Sequence, residues 1–234
     1  MDKNRKKGLV IIPAYNEQGA IAKTVENIVK NAPSFDYIVI NDCSKDNTKQ
    51  ILSENGFNYI DLPINLGIGG AVQTGYLYAA RHGYECAVQM DGDGQHDAAF
   101  LEEMLKHLES GEADMIIGSR FLKKEGFQSS ALRRMGIRFY TRLIKLLTGS
   151  TVTDPTSGMR LANQKVIQLF AENYPKDYPE PETAVTILKK GLCIKEIPVK
   201  MLARTSGESS ISMKKSVYYM LKVTIACCIA ALSA

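Results

Sequence analysis

The chain has 234 residues, 45% of them hydrophobic and 23% charged, with a formal net charge of +4. That is enough apolar sequence for one full core, alone or with a short appendage. A positive balance this small excludes nucleic acid as a partner implied by charge alone, and no Gly/Ser/Pro tract, repeat or low-complexity run divides the chain.

Residues 1–7 are polar and basic, and the apolar run after them is only a strand long. This does not read as a signal peptide, so the chemistry is expected in the cytoplasm. Residues 9–13 predict a strand and 21–30 a helix. A second strand is predicted over 37–40, then a helix over 46–54 capped near Ser44. A strand over 57–62, a helix over 69–81, a strand over 86–90, an amphipathic helix over 98–108 and a strand over 114–118 follow. This alternation predicts an α/β fold, a mainly parallel Rossmann-like sheet flanked by helices. Ligands of such sheets lie beyond the carboxyl ends of the strands. Pro13-Ala14-Tyr15-Asn16-Glu17, Asn41-Asp42-Cys43-Ser44 and Asp91-Gly92-Asp93 all fall there, so three loops are expected to converge on one site.

The second half is less regular. A helix over 132–147 carries Arg134, Arg138, Arg142 and Lys145 as one basic stripe, beside an apolar stripe of Leu132, Met135, Phe139, Leu143 and Leu146. A helix over 182–190 precedes a strand over 193–199. The tail over 216–234 is apolar apart from Lys222, and residues 217–234 stand at the lower limit of length for crossing a bilayer. An interfacial or partner-docked helix is expected there rather than an independent span. The expected organisation is a catalytic domain over 1–212 and an apolar helix over 213–234. The five cysteines, Cys43, Cys86, Cys193, Cys227 and Cys228, form no cluster with zinc spacing and read as reduced, mostly buried thiols.

Asp91 and Asp93 end a buried strand in a loop with two glycines. Carboxylates this close repel unless a cation sits between them or they point apart. Mg2+ or Mn2+ prefers oxygen ligands and is commonly shared with substrate phosphates, and Gln95 adds a neutral oxygen. Such an ion would neutralise a departing diphosphate. As a bare turn the same acids would simply be solvated. Asn16 and Glu17 suit ribose hydroxyls or a base edge and Tyr15 suits stacking on a base; as an ordinary turn, Asn16 would cap the helix. The run Asn65-Leu66-Gly67-Ile68-Gly69-Gly70 resembles a phosphate-cradling loop but has Val72 where the third glycine would stand. His82, His96 and His107 read as surface or loop residues.

Seven motifs stand in register with those of family 2 glycosyltransferases of the GT-A fold, and most resemble the dolichyl- and polyprenyl-phosphate sugar synthases. They are Ile12-Pro13-Ala14-Tyr15-Asn16-Glu17, Ile40-Asn41-Asp42-Cys43-Ser44-Lys45-Asp46-Asn47-Thr48 with Asn65-Leu66-Gly67, and Met90-Asp91-Gly92-Asp93-Gly94-Gln95-His96. The others are Gly118-Ser119-Arg120-Phe121, Asp154-Pro155-Thr156-Ser157-Gly158-Met159-Arg160, Glu196-Ile197-Pro198-Val199 and Arg204-Thr205-Ser206-Gly207-Glu208-Ser209. The resemblance runs from Val10 to about Ser210. It implies that Pro13, Tyr15, Glu17, Asp42 and Gly67 contact the donor, with Asp91, Asp93 and Gln95 holding metal and diphosphate. It implies further that Arg120 and Arg204 face phosphate charge, that Arg133 or Arg134 and Ser209 face the acceptor, and that Asp154 lies near the sugar or acceptor. Asn41 departs from the pattern, standing where many relatives carry the first acid of an Asp-Asp pair.

The reaction so implied is inverting transfer of a sugar from a nucleotide-diphosphate sugar. A lipid phosphate is an anionic nucleophile and needs no base; a sugar hydroxyl would need one, and Asp154, Glu180 or Glu182 is the candidate. The expected place is the cytoplasmic face of a membrane, with a lipid-linked acceptor. A membrane-protein partner or a second copy is a candidate to complete the machine. The competing readings are a transferase extending a sugar hydroxyl, and a non-catalytic scaffold that only binds nucleotide sugar. A sugar-1-phosphate nucleotidyltransferase is disfavoured, because Pro-Ala-Tyr-Asn-Glu replaces a basic Gly-rich loop after the first strand.

Overall fold

The computed structural model describes residues 6–123, 131–201 and 213–233, with side chains 131–133 and 213–217 outside that description. Seven strands form one sheet in the order β3-β2-β1-β4-β6-β5-β7. They are β1 (Gly8–Ala14), β2 (Phe35–Asn41), β3 (Tyr59–Asp61), β4 (Cys86–Gln89), β5 (Met115–Ser119), β6 (Arg160–Asn163) and β7 (Ile194–Pro198). All neighbouring pairs are parallel except those of β6, which runs against β4 and β5. The helices are α1 (Ile21–Asn31), α2 (Thr48–Glu54), α3 (Gly67–His82), α4 (Leu101–Glu109), α5 (Ala131–Thr148), α6 (Gln164–Glu172), α7 (Pro179–Lys189) and α8 (Met213–Ser233).

Strand alternation divides the core between the two faces. Leu9 and Ile11 of β1 pack with Tyr76, Phe170, Ile144 and Val185 beneath α3, α5, α6 and α7. Val10, Ile12 and Ala14 pack with Val25, Ile28, Leu52 and Leu101 beneath α1, α2 and α4. Each fully buried aliphatic side chain contributes about 1.5–3 kcal/mol. Gly75 lets α3 lie directly on β1: a Cβ there would sit 2.2 Å from the Ile11 side chain.

The predicted strands and helices all appear, with ends moved by a few residues. Two expectations about caps are corrected. Helix α2 is not capped near Ser44: its N-cap is Asn47, and Asp46 Oδ1 accepts from the Thr48 amide at 2.9 Å. Asn16 does not cap α1, whose N-cap is Ala20. Strand β6 and helix α6 were not predicted. Only four residues form β6, and its antiparallel entry places its first residue, Arg160, opposite Gln89 of β4 and Ile117 of β5. The loop that precedes β6 therefore joins the carboxyl ends of the parallel strands.

Helix α8 packs on α7 and α5 through buried Val223 and Cys227, with Tyr140 donating to the Met220 carbonyl. Its other face exposes Tyr218, Leu221, Ile225, Ile229 and Leu232. Among the described residues no helix is long and apolar enough to cross a membrane.

Candidate active site

The loops after β1 and β2 are joined to each other. Asn16 has a left-handed φ of 59°, and Cys43 one of 56°. In that turn the Asn16 amide donates to Ser44 Oγ at 3.0 Å and Asn16 Oδ1 accepts from the Lys45 amide at 2.7 Å. Thr48 Oγ1 accepts from the Glu17 amide and Asp46 Oδ2 from the Gln18 amide. Several residues that suited a nucleoside from sequence thus shape the loop itself. Tyr15 stays exposed at its tip, and Pro13 is buried at the base.

Asp42 is buried, and both of its oxygens face the start of α3. They accept from the Leu66 amide at 2.6 Å and the Gly67 amide at 2.9 Å. The Gly69 amide is taken by the Lys176 carbonyl at 3.1 Å. The amides of Leu66, Gly67 and Gly69 therefore hold protein oxygens instead of an open anion cradle, and Asp42 serves α3 as the acid that a helix N-terminus favours. Beside it, Asn41 Nδ2 donates to Asp61 at 2.6 Å, while Asn41 Oδ1 is buried with no partner among the described residues.

The loop after β4 carries Asp91, Asp93 and Gln95. Thr24 Oγ1 donates to the Gly92 carbonyl, which ties the loop to α1. A Cβ on Gly92 would lie 3.1 Å from the Pro13 carbonyl, so glycine here eases the close approach of the β1 and β4 ends. Asp93 is buried and accepts from the Gln95 amide at 3.0 Å. Buried His96, read from sequence as an ordinary loop residue, braces the loop: its Nδ1 accepts from the Asp91 amide at 3.2 Å. The Asp91 carboxylate lies against Gly158, where a Cβ would approach its oxygens to 3.0–3.1 Å. Among the described residues no three His, Cys, Asp or Glu side chains gather as a metal cage. Two acids with one open flank suit a Mg2+ or Mn2+ ion that completes its shell on substrate oxygens.

The loop over 154–158 brings the second half of the site. Asp154 is fully buried and accepts from Arg120 Nε and Nη2, both at 2.6 Å, and from the Arg120 amide at 3.1 Å. So engaged, Asp154 orients Arg120. Arg120 Nη2 also donates to Thr156 Oγ1 at 2.9 Å. Sequence reasoning missed the work of Arg160, which is wholly buried in a strand. Its guanidinium donates to the carbonyls of Ser157, Pro155 and Glu180 and to Thr183 Oγ1, stapling this loop to α7. An arginine among apolar strand residues was the available signal.

The two acids of α7 part company. Desolvation raises the Glu180 carboxyl above the usual carboxylate range; Arg160 opposes that shift and neighbouring Asp91 adds to it. Glu182, another of the three candidate bases, is also raised by burial, but its charge acts on Cys227 of α8. Of the two carboxyls, Glu180 is the one on which the Asp91 charge acts.

Next to Phe121 and Thr153 opens a cavity of about 500 Å3, lined also by Arg134, Ile137, Arg138, Thr141 and Arg142. Arg134, Arg138 and Arg142 form no ion pair with a described carboxylate. The Arg133 side chain, Arg204 and Ser209 lie outside the described residues.

The sequence model of Glycosyl transferase family 2 matches residues 9–170. The chain is 32% identical over 219 residues to the UDP-N-acetylglucosamine–dolichyl-phosphate N-acetylglucosaminyltransferase of Methanococcus voltae, covering 82% of this chain and 84% of that one. It is 26% identical over 228 residues to the polyprenol monophosphomannose synthase of Mycolicibacterium smegmatis, covering 93% and 86%. Among solved structures, glucosyl-3-phosphoglycerate synthase from Mycobacterium tuberculosis, in complex with Mn2+, uridine diphosphate and glucosyl-3-phosphoglycerate, superposes with a TM-score of 0.70. That match is 18% identical and covers 97% of this chain and 80% of the other.

Proposed function

We propose, from the premise that this chain belongs to glycosyl transferase family 2 and is a nucleotide-sugar-dependent glycosyltransferase of the GT-A fold, that it transfers the sugar to a polyprenyl phosphate at a membrane surface. The observation that carries this reading is the arginine-lined cavity next to Phe121 and Thr153. Three guanidinium groups without described carboxylate partners suit a phosphate better than a neutral sugar hydroxyl. The relatives from M. voltae and M. smegmatis are named for dolichyl-phosphate and polyprenol acceptors, which supports the same class.

Tyr15 offers a stacking face for the base and Asn41 Oδ1 an unused acceptor for a base N–H, while Asp42 holds the α3 end of the pocket. Asp91 and Asp93, with Gln95, would hold Mg2+ or Mn2+. The Gly158 flank that leaves the Asp91 oxygens uncrowded fits this, as does the Mn2+ named for the M. tuberculosis enzyme. When bound, the ion offsets diphosphate charge as the leaving group departs. Arg120, held in direction by Asp154, presents positive charge to phosphate oxygens. The acceptor phosphate, anionic already, attacks the anomeric carbon from the face opposite the diphosphate; the new C–O bond forms as the bond to the diphosphate breaks, and no proton has to move.

The exposed apolar stripe of α8, with Met135, Phe139 and Leu146 of α5 and the neighbouring arginines, supports an interfacial position on an anionic membrane. In this reading 1–212 is the catalytic domain and 213–234 its membrane-associated helix, on the cytoplasmic face. Arg133 or Arg134, Arg204 and Ser209 keep the acceptor and phosphate roles that the resemblance implies.

A screen of nucleotide sugars against polyprenyl phosphates and lipid-linked sugar hydroxyls, with Mn2+ and product analysis, tests the proposal. The expected product is a polyprenyl monophosphate sugar. Transfer to hydroxyl acceptors alone would refute it and turn attention to Glu180 as a base.

A further inference from the structure

Glu196 lies on the edge strand β7, opposite Ile117 of β5. Strand alternation sends it to the face opposite Lys195, which pairs with Glu112. On its own face the Glu196 carboxylate meets the loop that precedes β6. Oε2 accepts from the Thr153 amide at 2.7 Å, and Oε1 accepts from Thr153 Oγ1 at 2.9 Å and from the Asp154 amide at 2.8 Å. One carboxylate so bonded to two consecutive residues fixes both peptide planes, through charge-assisted bonds stronger than neutral ones. Asp154 then holds Arg120 through Nε, Nη2 and the backbone amide. Thr153 also meets Ser119 Oγ at 2.9 Å and lines the arginine cavity.

We propose that Glu196 is a positioning residue for sugar transfer: by fixing Thr153 and Asp154 it sets the direction in which Arg120 meets the substrate phosphate. Glu196 touches no substrate; it acts through Asp154. The inference rests on the reading of Arg120 as a phosphate-facing group. The donor loops of β1, β2 and β4 make none of these hydrogen bonds, so their part of the site should not register the loss of Glu196.

The test is a double-mutant cycle on the full chain, with kcat, KM for each substrate, nucleotide-diphosphate affinity and Tm measured for every variant. Glu196→Ala is expected to lower kcat roughly 10- to 100-fold, the scale on which a misplaced positioning group acts, with nucleotide affinity unchanged. Glu196→Gln keeps the shape and one acceptor oxygen, and is expected to recover part of the loss. Added to Arg120→Ala, the Glu196→Ala change should cost less than about threefold more, because the two act on one group. If Arg120→Ala impairs transfer but Glu196→Ala leaves kcat intact, or adds its full effect in the Arg120→Ala background, the positioning role is overturned and the reading of Arg120 stands. If Glu196→Ala fails to fold, Glu196→Gln carries the same cycle, with the same criterion of non-additivity. If Arg120→Ala itself transfers normally, both the phosphate reading of Arg120 and the role of Glu196 fall.

Discussion

On the β1–β2 side of the sheet edge, polar side chains bind protein backbone: Asn16 accepts from Lys45, Ser44 from Asn16, Thr48 from Glu17, and Asp42 from Leu66 and Gly67. On the β5–α5 side, Arg134, Arg138 and Arg142 line an open cavity without a described carboxylate partner, whereas Arg120 is locked by an acid. The first region has its shape before any ligand arrives; the second holds unbalanced charge that an anionic ligand would complete. A mutation on the first side should therefore act largely through the fold. On the second it should act through substrate affinity and respond to salt.

The largest effect should come where the two regions meet. Asp93→Ala is expected to reduce transfer by roughly 100- to 1000-fold or more, since it removes a charge aligned with the developing diphosphate. Tm and circular dichroism should stay near wild type; full activity of this variant, or of wild type in excess chelator, would remove the metal from the reading. On the cavity side, Arg134→Glu with Arg138→Glu should raise KM for polyprenyl phosphate at least roughly 30-fold, from about 1 kcal/mol for each of the two basic groups lost near an anionic surface, the reversed charges adding to it. The same double variant should float less with anionic liposomes, the deficit depending on salt, while donor affinity holds. An unchanged acceptor KM would mean that the cavity is not where the acceptor phosphate rests.

Asp42→Ala should be smaller and mixed in kind. Leaving the Leu66 and Gly67 amides without their acceptor costs about 1–3 kcal/mol, read as a Tm drop of roughly 2–4 °C per kcal/mol. Nucleotide affinity should fall with it, because the α3 end of the pocket loosens. Weaker binding at an unchanged Tm would mean that Asp42 meets the nucleoside directly and not through the loop. The smallest change is Asn16→Gly, whose backbone already has φ of 59°. Glycine accepts that conformation freely, so only the Lys45 hydrogen bond is lost, about 0.5–1.5 kcal/mol, with little effect on kcat. A large kcat loss would show Asn16 acting on substrate and would blur the contrast between the two sides.

The residues that shape the two sides differ in how far the chain alone reveals them. Asp91 and Asp93 were legible because they follow a largely apolar strand, and the parallel order sends such ends to one edge; Arg120 was legible only through the family resemblance. Asp42 was legible as a site residue but not as the cap of α3, since its partners Leu66 and Gly67 lie more than twenty positions on, with a strand between. Glu180 and Glu182 stand two apart in the first helical turn, and only the docking of α7 between the sheet and α8 decides which of them feels the Asp91 charge. The hydrogen bonds of Glu196 to Thr153 and Asp154 cross 42 or 43 positions and leave no local signature.

What the chain determined by itself is periodicity and its consequences. Alternating apolar runs on β1 divide the core between the two faces, helical stripes cover them, and polar loops follow the strands; these depend on neighbours within a few residues and on the separation of apolar from polar surface. What tertiary structure decided is partnership. Strand β6, whose four residues are too few to show a period, fills the gap between β4 and β5 and runs against both. That one reversal delivers Asp154, Gly158 and Arg160 to the edge already occupied by Asp91 and Arg120. A buried polar group must find a partner or lose its hydration uncompensated. Which partner Asp42, Arg160 or Glu196 finds is set by the elements that pack beside it, and sequence spacing carries no record of that choice.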